Sequence, residues 1–130
     1  YFFARGQLDR AAMAAGAAHR VGEHDARNLC KPDANVHSFR RVVLAAAVRP
    51  CAEAWGAPGP DQLCEFDVSG YAFLWHQVRY MMAALLLVGG GREPPALLAQ
   101  LLAPAELPRG RPALELAADG PLVLWECGFE

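Results

Sequence analysis

Two groups of residue types in this 130-residue sequence can carry chemistry. The first is His76, Arg79 and Tyr80, at positions i, i+3 and i+4 of a predicted helix over residues 74–88. That spacing sets all three on one side of the helix's first turns, with Trp75 and Gln77 flanking them. Arg79 is the one charge in this stretch, which is apolar beyond Tyr80 until Gly89-Gly90-Gly91 stops it. A helix apolar nearly all round belongs inside a core, so Arg79 stands at the edge of burial and needs an anionic partner. A carboxylate facing it is kept ionised, the state a nucleophile requires. Two partners are open at this point: a surface acid of the adjacent strand, Glu65 or Asp67, or a functional carboxylate elsewhere.

The second group is His24-Asp25. Adjacent His and Asp ligate divalent metal in HD-type phosphohydrolases, which draw further His and Asp from other helices. His19, His37 and His76 offer no matching helical spacing, so loop hydrogen bonding or helix-end capping is the preferred reading. No G-x-S-x-G nucleophile elbow is present. No glycine-rich phosphate loop precedes a helix; Gly89-Gly90-Gly91 follows one. Cys30, Cys51, Cys64 and Cys127 form no C-x-x-C pair, so zinc spacing is absent and buried reduced thiols of an intracellular protein are expected.

The elements that must position Arg79 are read from pattern. Residues 64–68, Cys64-Glu65-Phe66-Asp67-Val68, alternate apolar and polar, which predicts a strand with one packed and one wet face. They turn through Ser69-Gly70-Tyr71 into the apolar helix. Upstream, residues 39–48 favour a strand through Arg41, Val42, Val43, Leu44 and Val48. The glycine-proline loop over 53–61 makes an antiparallel hairpin of the two. Residues 8–21 are alanine-rich, with Asp9 in the first turn and Gly22 beyond the end, and predict a helix. Residues 22–30 read as a polar loop or short turn, and Lys31-Pro32-Asp33-Ala34-Asn35 as a breaker. After the central helix, Pro94-Pro95 open a short helix over 96–103. A basic loop follows over 108–112, then short strands over 114–117 and 122–129. The order αββααββ predicts an α+β domain, helices packed on one face of a largely antiparallel sheet.

Length gives one domain with a real core, and 54% hydrophobic residues place the chain among globular rather than disordered proteins. No run of about 18 apolar residues exists, so no membrane span is expected. The chain opens in mid-pattern at Tyr1-Phe2-Phe3 with no signal segment, which marks it as a piece of something longer. Net charge is −2, but residues 1–50 hold eight Lys/Arg against four acids. That basic half is compatible either with a polyanion-facing surface or with a solvated charged face.

The whole chain resembles the C-terminal half of the catalytic domain of TruA-type tRNA pseudouridine synthases. Three segments carry the likeness: Gly22-Glu23-His24-Asp25; Phe73-Leu74-Trp75-His76-Gln77-Val78-Arg79-Tyr80-Met81-Met82 with Val88-Gly89; and Pro121-Leu122-Val123-Leu124 through Phe129. Arg27-Asn28-Leu29-Cys30-Lys31 and the Pro121-Leu122-Val123-Leu124 ending look most like the eukaryotic members acting at tRNA positions 38 and 39, in the anticodon stem-loop. The resemblance implies a pseudouridine-synthase-like fold and isomerisation of uridine to its C-glycoside, without cofactor or metal. In this family an aspartate acts on a flipped-out uridine. The likeness makes Arg79 the arginine that pairs with that aspartate and Leu122 a leucine near the uracil ring. It makes Arg40, Arg41 and His24 substrate-binding positions, the two arginines on phosphates. tRNA as partner, a homodimer and a cytoplasmic or nuclear home are further expectations from the family.

Two departures stand out. The family's aspartate lies in an Arg-x-Asp-x-Gly-Val-His segment, and Asp9, Asp25, Asp33, Asp61, Asp67 and Asp119 all have other contexts. Residues 1–130 therefore read as a half-domain without the nucleophile or the aromatic that stacks on the base, inactive until joined to an N-terminal half. The family's Phe after His-Asp is Ala26 here, which removes an anchor of roughly 3–5 kcal/mol and predicts a looser loop. The competing readings are a non-catalytic RNA-binding or dimerisation module derived from this family and, remotely, an HD-type metal phosphohydrolase.

Overall fold

The computed structural model describes residues 1–18, 20–31, 33–51, 59–104 and 113–128. In chain order these form β1 (Phe2–Ala4), α1 (Arg10–Ala18), β2 (Gly22–Asp25), a 3-10 turn (Arg27–Leu29), β3 (Arg40–Pro50), β4 (Leu63–Gly70), α2 (Gln77–Gly89) and α3 (Leu97–Leu101). Most of the loop expected over 53–61, the basic loop over 108–112, His19 and Phe129 lie outside the described residues.

The four strands make one antiparallel sheet in the order β1-β4-β3-β2. The hairpin expected from the two apolar runs is its centre: Val48 faces Phe66 and Pro50 faces Cys64. A register shift between Val43 and Ala45 inserts an extra residue into β3. Such a bulge resets the alternation, so that Val43, 1% exposed, and Val48 are both buried. Cys64 and Phe66 are buried while Asp67 points to water, as the alternation of β4 requires. Gly70 ends β4 where a Cβ would meet the Val42 carbonyl oxygen at 2.7 Å. Glycine lets β4 approach the β3 backbone that closely at the open end of the hairpin.

The helices cover the buried face. α2 contributes Met81, Met82, Ala84, Leu85 and Val88 to a continuous core with Met13 and Ala17 of α1, Phe66 of β4, and Leu97, Leu98 and Leu101 of α3. Burying each of the large apolar side chains stabilises the fold by roughly 1.5–3 kcal/mol. Asp9 caps α1, its carboxylate accepting from the Ala12 amide at 3.0 Å. The α+β architecture with an antiparallel sheet is thus as expected.

Several elements differ. Residues 22–25 are a strand, not a loop, because β3 offers them a free edge: Glu23 faces Val42 and His24 faces Arg41. β1 was not anticipated; it pairs Phe2–Ala4 with Glu65, Cys64 and Leu63. Residues 113–117 and 122–128 are not strands. The latter segment is attached beside β1 through a bond from the Phe2 amide to the Pro121 carbonyl at 3.2 Å. α1 spans Arg10–Ala18 within the predicted 8–21. Cys30 and Cys64 are buried thiols, but Cys51 is only half-buried and Cys127 is exposed. No helix among the described residues is long and apolar enough to cross a membrane.

Candidate active site

The apolar helix starts three residues later than its composition predicts. Leu74, Trp75 and His76 form a tight turn, and α2 begins at Gln77. The turn is locked from within: the Gln77 amide donates to the Leu74 carbonyl at 2.9 Å, and the Gln77 side-chain oxygen accepts from the Leu74 amide at 2.8 Å. This reciprocal pair resembles a capping box, and it accounts for a glutamine that is 1% exposed. His76 occupies the cap position in the left-handed region, φ 61° and ψ 11°. It is the only non-glycine among the described residues with positive φ.

Arg79 therefore lies in the first turn of α2, half-buried. Its Nε donates to the Ala117 carbonyl at 2.7 Å, and its Nη1 is 3.3 Å from His76 Nδ1. A guanidinium has five N–H donors, so Nη2 and the second Nη1 hydrogen remain without a partner among the described residues. The nearby acids of β4 are engaged elsewhere. Arg49 binds Glu65 at 2.8 Å and Asp67 at 2.6 Å on the wet face of the sheet. Of the two partners the sequence leaves open, the surface acids Glu65 and Asp67 do not bond Arg79, because β4's alternation turns them away from the face α2 covers.

One further group senses the Arg79 charge. Burial pushes the Tyr1 phenol above its usual range, while Arg79 pulls it down and Asp119 pushes it up. The Tyr1 phenol thus lies within electrostatic reach of both Arg79 and Asp119, which sequence reasoning missed because it joins distant parts of the chain. Leu122, 38% exposed, lies three residues beyond Asp119, its amide bonded to the Asp119 carbonyl at 3.0 Å. Behind His76, the Trp75 ring stacks on the imidazole with centroids 4.6 Å apart, and Lys31 Nζ lies 4.6 Å from the Trp75 ring centroid.

The remaining predicted residues sit at the other edge of the sheet. β1 and β2 are its two margins, three strand spacings or roughly 14 Å apart. Arg40 and Arg41 are adjacent on β3 and point to opposite faces. Arg40 Nε binds Glu23 at 2.6 Å, whereas Arg41 Nη1 donates to the Ser38 and Arg40 carbonyls. His24 and Arg41 face each other across the strands, and His24 Nε2, Arg41 Nε and Arg20 Nε are buried without partners among the described residues. No described hydrogen bond or ion pair links His24, Arg40 or Arg41 to Arg79.

The strand geometry of β2 also disposes of the HD metal reading. Successive strand residues point to opposite faces, so His24 and Asp25 cannot converge on one ion. Asp25 instead binds Arg27 at 2.7 Å, whose hydrogen bond holds the carboxyl below its usual range. Among the described residues no three His, Cys, Asp or Glu side chains gather to hold a metal. Ala26, 1% exposed, lies under the 3-10 turn, its amide bonded to the Phe39 carbonyl at 2.9 Å.

An α+β sheet covered on one face by helices, with a half-buried arginine that has no ion-pair partner among the described residues at the start of α2, is the setting in which the sequence comparisons identify the class. The chain belongs to the tRNA pseudouridine synthase family, of the TruA type, whose family model matches residues 17–130. It is similar to the tRNA pseudouridine(38/39) synthase of Bos taurus, 45% identical over 135 residues, covering 100% of this chain and 28% of that protein. The protein of the same name from Saccharomyces cerevisiae is 39% identical over 131 residues, with 99% and 28% covered. The tRNA pseudouridine synthase A of Methanosphaerula palustris is 39% identical over 130 residues, with 98% and 41% covered. The chain thus spans 28% of the length of these Bos taurus and Saccharomyces cerevisiae relatives.

Proposed function

We propose that residues 1–130 are the C-terminal part of a catalytic domain that converts uridine to pseudouridine in tRNA, and that Arg79 is the cationic half of its active-site ion pair. The supporting observation is the guanidinium itself. It is fixed by Ala117 and His76, yet keeps three N–H donors without a partner among the described residues. A carboxylate takes two such donors, one from each Nη, in a bidentate pair with arginine. The carboxylate belongs to an aspartate outside this stretch, since none of the six aspartates here lies in the family's context.

In the reaction the N1–C1′ bond of the flipped-out uridine breaks, the base turns, and a C5–C1′ bond forms. The C5 proton is lost and N1 gains one, so no redox equivalent or cofactor is consumed. The task of Arg79 is to keep the aspartate ionised and aimed at the sugar–base junction. Leu122 offers apolar surface to the uracil ring, and Arg40, Arg41 and His24 contact the RNA at the far edge of the sheet. Likeness to the (38/39) enzymes favours the anticodon stem-loop as substrate and a homodimer as the working unit.

The test is to incubate the full-length protein with a tRNA transcript and map pseudouridine. Isomerisation at position 38 or 39 is expected. An upstream sequence without the aspartate, together with unmodified RNA, would establish the second reading, a non-catalytic RNA-binding or dimerisation module.

A further inference from the structure

We infer that His76 is a positioning residue for Arg79 and that it works only as the neutral imidazole protonated on Nε2. The inference rests on the role proposed for Arg79. Its basis is the contact between Arg79 Nη1 and His76 Nδ1 at 3.3 Å. Arginine is donor-only and effectively always charged, so the contact is a hydrogen bond only if Nδ1 presents its lone pair. The ring proton then resides on Nε2.

Three features hold the imidazole in place. The backbone of His76 is in the left-handed region, a conformation that costs energy for a non-glycine residue and persists only when its surroundings enforce it. The Leu74–Gln77 bonds enforce it from both ends of the turn. On its flank the ring stacks on Trp75 at an interplanar angle of 25°, with Lys31 beyond. Together these present Nδ1 to one edge of the guanidinium, while Ala117 holds Nε. With Nε and Nη1 both anchored, the plane of the fork is set and Nη2 is directed to what lies beyond.

Protonation removes this support. A second proton puts a hydrogen where the lone pair was and a cation beside a cation. The charged groups shown beside the imidazole do not remove the conflict: Arg79 itself and, across Trp75, Lys31 are cationic. Turnover should therefore fall on acidification through loss of the Arg79 orientation rather than loss of RNA binding.

The experiment compares wild type, His76→Gly and His76→Asn in the full-length protein, measuring kcat and KM for tRNA across about pH 5 to 8. Glycine removes the acceptor while easing the left-handed backbone. Asparagine tolerates that backbone and offers a carbonyl acceptor that does not titrate in this range. Expected are a 10- to 100-fold lower kcat for His76→Gly, the worth of about one hydrogen bond to a charged group, and KM within about twofold. His76→Asn should recover most of the loss and lack the acidic limb that wild type shows. Asparagine as impaired as glycine, a loss in KM alone, or an acidic limb unchanged in His76→Asn overturns the inference. Arg79→Gln serves as control: if it abolishes turnover while His76→Gly does not, only the role of His76 fails.

Discussion

Arg79 donates to the Ala117 main-chain carbonyl at 2.7 Å across 38 positions of sequence. The bond ties the start of α2 to the segment that leads to Leu122, so one arginine fixes the spacing between the central helix and the 113–122 stretch. It also leaves the charge of Arg79 unneutralised within the described chain, because a carbonyl accepts a hydrogen bond without supplying an anion.

The acids nearest in sequence pattern should be bystanders. Asp67→Asn removes one of Arg49's two acceptors on the wet face and nothing from Arg79. Exposed ion pairs are worth roughly 0–1 kcal/mol, so the urea midpoint should shift little and turnover of the full-length protein should not change. A turnover loss as deep as that of Arg79 variants would make Asp67 the partner after all.

Gln77 should matter for stability well beyond its single hydrogen bond. Gln77→Ala strips the acceptor from the Leu74 amide, a buried contact. An unsatisfied buried donor costs about 1–3 kcal/mol. The midpoint of urea unfolding should fall with an unchanged denaturant slope. An unmoved midpoint would show that the turn entering α2 is held by other means.

Acid sensitivity has one identifiable contributor in β2. The Arg27 hydrogen bond depresses the Asp25 carboxyl. A depressed folded-state value means the stabilisation is complete above the unfolded-state value, about 3.9, and fades as pH falls through the lower folded value. Asp25→Asn should therefore lower stability at neutral pH slightly and flatten its decline in acid. An equally steep acid decline in the variant would place the sensitivity in other carboxylates.

What the sequence disclosed and what it hid follow from range. β4 and the helix after it were legible because Cys64, Phe66 and Val68 alternate and residues 81–88 are apolar, both local signals. Asp9 marked the start of α1 for the same reason, whereas the helix ends at Ala18, before the expected stop at Gly22, which opens β2. β2 was hidden because Gly22-Glu23-His24-Asp25 has no β-branched or aromatic residue, and its strand state comes from the edge that β3 lends it. Residues 122–128 erred in the opposite sense. Leu122, Val123, Leu124 and Trp125 have strand-like composition but lack a paired ladder in the described structure, and Leu124 and Trp125 are exposed. The start of α2 was misjudged because His76 bends left-handed, which composition does not signal. At the site, Arg79 stood out as a lone charge in an apolar helix. Its bond to Ala117 and its proximity to Tyr1 span too much sequence for any pattern to show.

The central claim is that Arg79 serves a carboxylate from beyond this stretch. Its most direct test is the single-turnover rate of pseudouridine formation by the full-length protein carrying Arg79→Gln or Arg79→Lys, with tRNA binding measured in parallel. A rate loss of about 10²–10³-fold is expected, the scale of removing one preorganised donor. Lysine should give little rescue, because it lacks the planar fork, and tRNA affinity should stay within a few-fold. Undiminished turnover in Arg79→Gln would contradict the claim.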